Sequence, residues 1–326
     1  MYNTSKKLKQ REFLMHSKNL YEHSSGNATF INLKLNPDIA NPLAYFEAFC
    51  SAYADLIKSN KNRFPDANFN CTFGMSRHMW ETLYPNITAP KHLVTFQEIK
   101  GAKYTAVSTH GDLFLYIRAS RSDICFEVAQ QVLLFTKAFT LPEYEVHGFS
   151  YLDGRAIIGF VDGTANPVED DAYKAVIIGE EDAFFAGGSY VFTQKYLHDM
   201  SAWNTLPTEQ QEKIIGRKKY NDIELEDDQK AVNAHNVISL AHHEDGSEIE
   251  ILRANVVFAN PSLNEFGTYF IGFTNNFEHI NTMLKNMFIG KPEGNYDGLL
   301  DFSTAITGTL FFLPSFDLID KMANGL

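Results

Sequence analysis

Residues 110–134, HGDLFLYIRASRSDICFEVAQQVLL, can be laid on residues 266–288, FGTYFIGFTNNFEHINTMLKNMF. Each runs through a turn, an apolar strand, a polar helix cap and an amphipathic helix. A period that switches from two to 3.6 within one segment marks a strand feeding a helix. Its recurrence about 150 residues later points to an internal duplication. Outward from the first copy, strands are expected at 28–35, near 68–74, within 104–118 and near 143–151, with helices at 42–61 and 122–138. The order is βαββαβ. Around the second copy, strands are expected at 188–195, ending at 258, at 268–274 and at 308–313, with helical segments between 196 and 216 and a helix at 277–288. The same order recurs, so the expected fold is α+β, a tandem duplication of a ferredoxin-like βαββαβ unit. The expected organisation is an N-terminal extension over 1–27, a first half over 28–150 and a second half over 151–326.

The chain has 326 residues, 44% of them hydrophobic, enough for well-buried cores. A formal net charge of -12 disfavours nucleic acid or an anionic membrane as partner, since both are polyanions. Cys50, Cys71 and Cys125 lack metal-ligand spacing and read as ordinary thiols of a reducing compartment. The N-terminal stretch MYNTSKKLKQREFLMHSKNLY has basic residues but no apolar run of secretory length, and no run of about 18 apolar residues occurs anywhere. A cytoplasmic protein without membrane contact is expected. With 27 Phe and 15 Tyr the chain could line a pocket for a large flat ligand, although any single aromatic is first of all core filler.

Three segments hold residues suited to chemistry. AIIGFVDGTANPVED, from Ala156, ends an apolar run in a turn where Gly159 and Gly163 permit backbone geometries closed to other residues, and it presents Asp162. The plain alternative is an aspartate capping a turn. AVNAHNVISLAHHED contains His235 just ahead of the apolar Val237, Ile238 and Leu240, whereas His242 and His243 belong to a polar turn with Glu244 and Asp245. By base rate a lone histidine is a hydrogen-bonded structural residue more often than a ligand. In SEIEILRANVVFANP, from Ser247, alternation puts Ile249, Ile251, Arg253, Asn255 and Val257 on one face. An arginine in a strand apolar on both faces calls for an anion, either a cofactor group or a structural carboxylate. The acidic run from Asp222 to Asp228 reads as a solvated surface without a chemical role.

Taken together, GFVDGTANP, His235, Arg253 eighteen positions later and the closing NYDGLLDFSTAITGTLFFLPS from Asn295 resemble the DyP-type (dye-decolourising) haem peroxidases, in particular their cytoplasmic branch without a signal peptide. The resemblance runs from about residue 28 to the C-terminus, and its signature lies in four separated blocks in the right order. It implies a dimeric α+β barrel type of fold and a b-type haem (iron protoporphyrin IX) in the second half. It makes His235 the ligand of the haem iron and Asp162, Arg253 and Asn255 the catalytic groups of the peroxide side. Gly163, Thr164, Ala165 and Arg253 are expected to contact the cofactor, and Asp297 to accept from the other ring nitrogen of His235. Asp301 could share or replace that last role.

The implied reaction is reduction of hydrogen peroxide with one-electron oxidation of a small organic, dye-like or phenolic donor, in a homo-oligomer. Trp80, Trp203 or some tyrosines could relay electrons, packing being the first reading for each. A carboxylate beside Arg253 is expected to have a depressed pKa, favouring function at mildly acidic pH. The rival readings are a non-catalytic haem-binding or haem-iron-handling protein, and a ferredoxin-like module without haem in which His235 is structural.

Overall fold

The computed structural model describes residues 26–326, so residues 1–25 of the expected N-terminal extension lie outside the described residues. Strand β1 (Asn27–Leu35) leads into helix α1 (Pro42–Arg63), strand β2 (Asn70–Met75), the short helix α2 (Arg77–Leu83) and a small ladder of β3 (Ile99–Lys100) with β4 (Thr105–Ala106). Strand β5 (Leu113–Ala119), helix α3 (Ser122–Thr136) and strand β6 (Thr140–Phe149) follow. The second series is α4 (Glu169–Val176), β7 (Ser189–His198), α5 (Met200–Thr205), α6 (Thr208–Ile215), α7 (His235–Ile238), β8 (Leu252–Arg253), β9 (Val256–Asn260), β10 (Glu265–Thr274), α8 (Phe277–Phe288), β11 (Ser303–Ala305), β12 (Thr309–Leu313) and α9 (Phe316–Ala323).

All pairings within the large sheet are antiparallel. Strands β2, β5, β1 and β6 neighbour one another in that order, and β9, β10, β7 and β12 repeat the arrangement. Each set is ferredoxin-like, as the repeat predicts. The two sets join where Phe149 of β6 pairs Val257 of β9 and where Phe312 of β12 pairs Met75 of β2. These joints close eight strands into a barrel.

Alternation then sorts the side chains. From β1, Phe30 points into the barrel while Ile31 and Leu33 face the helices. From β5, Phe114 and Tyr116 go in and Leu113, Leu115 and Ile117 go out, and β10 sends Tyr269, Ile271 and Phe273 in. The interior is an aromatic stack: the Phe30 ring lies 4.0 Å from Tyr269 and 4.9 Å from Tyr116 between centroids, and Phe114 lies 5.1 Å from Phe311. Outside the first set, α1 and α3 cover a solid layer that includes Phe46, Phe49, Tyr53, Phe73 and Phe139.

Several expectations need adjustment. The strand within 104–118 is two strands in different ladders, because residues 107–112 turn between them. The strand ending near Phe258 is interrupted at Ala254–Asn255 without losing register, since Gly272 stands opposite Arg253 and Tyr269 opposite Val256. Helices α2, α4 and α9 are too short for a periodic signal; Ser76 caps α2 by accepting from the Met79 N–H, and Ser315 caps α9 by accepting from Leu318. Cys50, Cys71 and Cys125 are buried free thiols. Among the described residues no helix is long and apolar enough to cross a membrane.

Phe30 is fully buried between two tyrosine rings at the centre of the barrel. Phe30→Ala is expected to cost about 3–5 kcal/mol, the range for a large core aromatic, read from the urea midpoint. A loss under about 1 kcal/mol would mean that the stack does not hold the barrel.

Candidate functional site

In the second set the layer between sheet and helix is not solid. A cleft of about 1050 Å3, its mouth included, opens between the outer faces of β7 and β10 and helix α8. The helix contributes Ile280, Met283, Leu284 and Met287, and Leu299 and Leu300 continue the apolar wall. The strands contribute Gln194, Tyr196, His198, Thr268 and Phe270, all on the outward side that alternation assigns. His235, Asp162, Arg253 and Asn255, the four residues weighted most heavily in the sequence, line the same cleft.

His235 opens α7 with Asp297 behind it. Its Nδ1 lies 2.6 Å from Asp297 Oδ2, and Asp297 is completely buried. The other carboxylate oxygen, Oδ1, accepts from the Leu299 N–H at 2.9 Å, which fixes the carboxylate's orientation. Asn233 clamps the two segments together: its side-chain amide donates to the Tyr296 carbonyl, and its own carbonyl accepts from the Gly298 N–H. Burial works against a charged imidazole here, but Asp297 outweighs it and raises the His235 pKa above the ordinary value. Nε2 has no partner among the described residues. Asp301 takes no part in this pair. Its carboxylate accepts from Lys103, Tyr104 and Tyr296 instead.

Asp162 sits in the turn foreseen from its glycines, with Gly159 at φ +95° and Gly163 at φ +81°. The Asn255 side-chain amide donates to Asp162 Oδ1 at 3.1 Å, and its own side-chain oxygen, Oδ1, is buried without a partner. Burial raises the Asp162 pKa above the usual carboxylate value, despite the lowering effects of Asn255, Arg253 and His235. The expected depression is therefore overturned. No carboxylate lies within salt-bridge distance of Arg253 among the described residues, so its charge acts on Asp162 without direct pairing.

The turn is tied down from several sides. Asn166 Nδ2 donates to the Arg253 carbonyl at 2.7 Å and Asn166 Oδ1 accepts from the Arg253 N–H at 2.9 Å, so a side-chain amide does the work of a neighbouring strand. The Thr164 hydroxyl donates to Asp222 Oδ2 at 2.5 Å, and Arg217 donates to Asp222 Oδ1 at 2.7 Å. The acidic side chains of the run from Asp222 to Asp228 are otherwise exposed, as expected; only the first of them, Asp222, is partly buried, and it anchors the Asp162 turn with Arg217, five residues away, beside it. Trp203, fully buried, donates to the Ile158 carbonyl and packs under Phe160, and Trp80 is equally buried. Both are packed into the core.

Gly163 and Thr164 line a second cleft, of about 1470 Å3 with its mouth, which shares Asp162, Arg253 and Asn255 with the first. Ala165 lines neither, and its carbonyl meets Arg253 Nη2 at 3.5 Å. Sequence reasoning missed His198, whose ring nitrogens lie 2.8 Å from both the Ser303 and Thr268 hydroxyls and whose pKa burial lowers to about 4. The only signal was its outward register on β7. His242 and His243 lie in an exposed turn, as expected.

Comparison with known proteins places these features in company. The family model described as Dyp-type peroxidase, N-terminal, matches residues 25–150, and Dyp-type peroxidase, C-terminal, matches residues 153–318. A dye-decolorizing peroxidase of Rhodococcus erythropolis (strain PR4 / NBRC 100887) is 46% identical over 258 residues, 79% of this chain and 75% of that one. The crystal structure of a dye-decolorizing peroxidase from Bacteroides thetaiotaomicron VPI-5482 superposes with a TM-score of 0.88 at 52% identity, covering 93% of this chain and 97% of that one. A DypB variant from Rhodococcus jostii RHA1 in complex with heme superposes at 0.89 with 42% identity, covering 92% and 96%.

The Asn166 clip yields a direct test. Asn166→Ala removes both hydrogen bonds to the Arg253 backbone and is expected to cost about 1–3 kcal/mol in urea denaturation. A loss below about 0.5 kcal/mol would show that the turn is held without it.

Proposed function

We propose that this chain, which belongs to the Dyp-type peroxidase family, holds its haem through His235 and reduces hydrogen peroxide with Asp162, Arg253 and Asn255. The observation that carries the assignment is one imidazole whose Nδ1 is committed to a buried carboxylate, in an apolar cleft that also contains a carboxyl group and a guanidinium.

The residues present fit the cofactor. With Nδ1 directed at Asp297, the ring leaves Nε2 as the atom that would hold the haem iron, and the carboxylate behind it increases the basicity of the ring. The unpartnered Asn255 oxygen gives the cleft a polar point of contact on its Asp162 side. When bound, the haem supplies an iron centre for two-electron reduction of peroxide and for one-electron oxidation of donors.

With peroxide in the cleft, the Asp162 carboxylate would take the proton from one peroxide oxygen and return it to the other, which would leave as water as the O–O bond breaks. Asn255 steers this exchange by donating to Oδ1, which holds the carboxylate in one orientation. Arg253 stabilises negative charge growing on the departing oxygen, an effect strengthened by the low dielectric of the cleft. The donor is assigned to the small organic, dye-like or phenolic class, in keeping with the name of the relatives.

His235→Ala is expected to yield a folded protein without a Soret band after haem addition. Asp162→Ala and Arg253→Ala should keep the band but slow its change on stopped-flow mixing with peroxide by about 10²–10³-fold. Parent rates in both variants would remove the two residues from the mechanism.

The acid limb of the peroxide reaction should lie above the usual carboxylate range. Because burial raises the Asp162 pKa, its ionised, proton-accepting form is lost as pH falls through that raised value. Arg253→Leu removes a lowering influence, so the limb of the residual rate should move to higher pH. An unmoved limb would separate Arg253 from Asp162.

A further inference from the structure

We propose that His78, His110 and Asp112 form a binding site for one divalent transition-metal ion, zinc in the first instance, in the first half of the chain. None of the three lines either cleft, and neither the comparisons nor the peroxidase chemistry assigns them a task.

Asp112 stands just before β5 and is 1% exposed. Its carboxylate is already satisfied from the protein side: Oδ2 accepts from the Leu35 N–H at 2.8 Å and Oδ1 from the Ser76 hydroxyl at 3.0 Å. Burial opposes its charge, but the Leu35 N–H and the two histidines outweigh burial and hold its pKa below the usual value. The group is a buried anion whose remaining neighbours are two imidazoles.

The two imidazoles meet that carboxylate. His78, in the first turn of α2, puts Nδ1 2.8 Å from Oδ1, and His110, in the loop ahead of β5, puts Nε2 3.0 Å from Oδ2. Their side chains are 62% and 52% exposed, so each ring could turn its nitrogen to water. Instead both converge on one carboxylate, with ring centroids 5.9 Å apart. Holding two exposed side chains against one carboxylate restricts their rotamer freedom. A shared ligand for both rings gives the convergence a stronger cause.

The donor set is specific. Two imidazole nitrogens and one carboxylate suit zinc and its first-row neighbours, whereas calcium and magnesium call for shells built from oxygen. The candidate ligand atoms all lie within 4.8 Å of one another. Two donors at zinc distances of about 2.0–2.2 Å lie no more than about 4.3 Å apart, so small rotations of the exposed rings complete the site. Solvent supplies the remaining position. An ion there would cross-link the end of β1, the start of α2 and the entry to β5.

The test uses the tag-free, haem-loaded full chain, stripped of loose metal and titrated with zinc chloride in a calorimeter. The parent is expected to take up one ion per chain. His78→Gln and His110→Gln leave Asp112 with Leu35 and Ser76, so the fold survives, verified by an unchanged Soret band and melting temperature. Each single variant should bind at least about tenfold more weakly, and the double variant should not bind. In zinc-soaked crystals, diffraction on the two sides of the zinc absorption edge should show an anomalous peak among the three side chains. Absence of saturable uptake by the parent, parent-like uptake by the double variant, or a peak elsewhere would each reduce the triad to a hydrogen-bonded knot and overturn the proposal.

Discussion

Eight antiparallel strands that close on themselves leave no choice about where a side chain points. Every second residue must enter a space that closure has already limited, and here that space is taken by Phe30, Phe114, Tyr116, Tyr269 and Phe311. The intervening residues then face the helices. The two halves treat that outer layer differently. In the first, Phe46, Phe49, Tyr53, Phe73 and Phe139 fill it. In the second, the β7 positions 194, 196 and 198 carry Gln, Tyr and His, and α8 stands over a cleft rather than a core.

The groups in that cleft are oriented by structure that does not itself face the chemistry. Asp297 is held by the Leu299 N–H before it meets His235, and the Asp162 turn is held by Asn166 against the Arg253 backbone and by Asp222 through Thr164. Arrangements of this kind remove the motion that would otherwise blur short-range electrostatics. They also explain the state of Asp162. The turn buries it deeply enough for desolvation to exceed the pull of Arg253.

Much of this was legible in the residues. The duplicated strand–helix pattern carried the fold because periodicity directly reports which backbone geometry buries a face, and the long elements fell close to their expected ranges. His235, Asp162, Arg253 and Asn255 stood out by residue type and neighbourhood, and they do line one cleft. What escaped depends on three-dimensional balance. His198 fell beyond the expected end of its strand at 195, in a stretch read as helical, and no pattern along the chain could say that the helix above leaves room for a ligand. Asp301 and Asp297 look alike four positions apart, yet only one points at His235. The sign of the Asp162 shift rests on a contest between burial and charge that no motif encodes.

The two joints between the halves have a consequence for the site. Each is a single residue pair, Phe149 with Val257 and Phe312 with Met75, where the ladders inside a half run over many residues. The barrel's backbone ladder is therefore thinnest along these two lines. The second cleft is lined by Phe149, Val256 and Val257 at the first of these joints and ends on Asp162 and Arg253. The cleft at the first joint and the cleft beneath α8 therefore meet on the same groups, Asp162, Arg253 and Asn255.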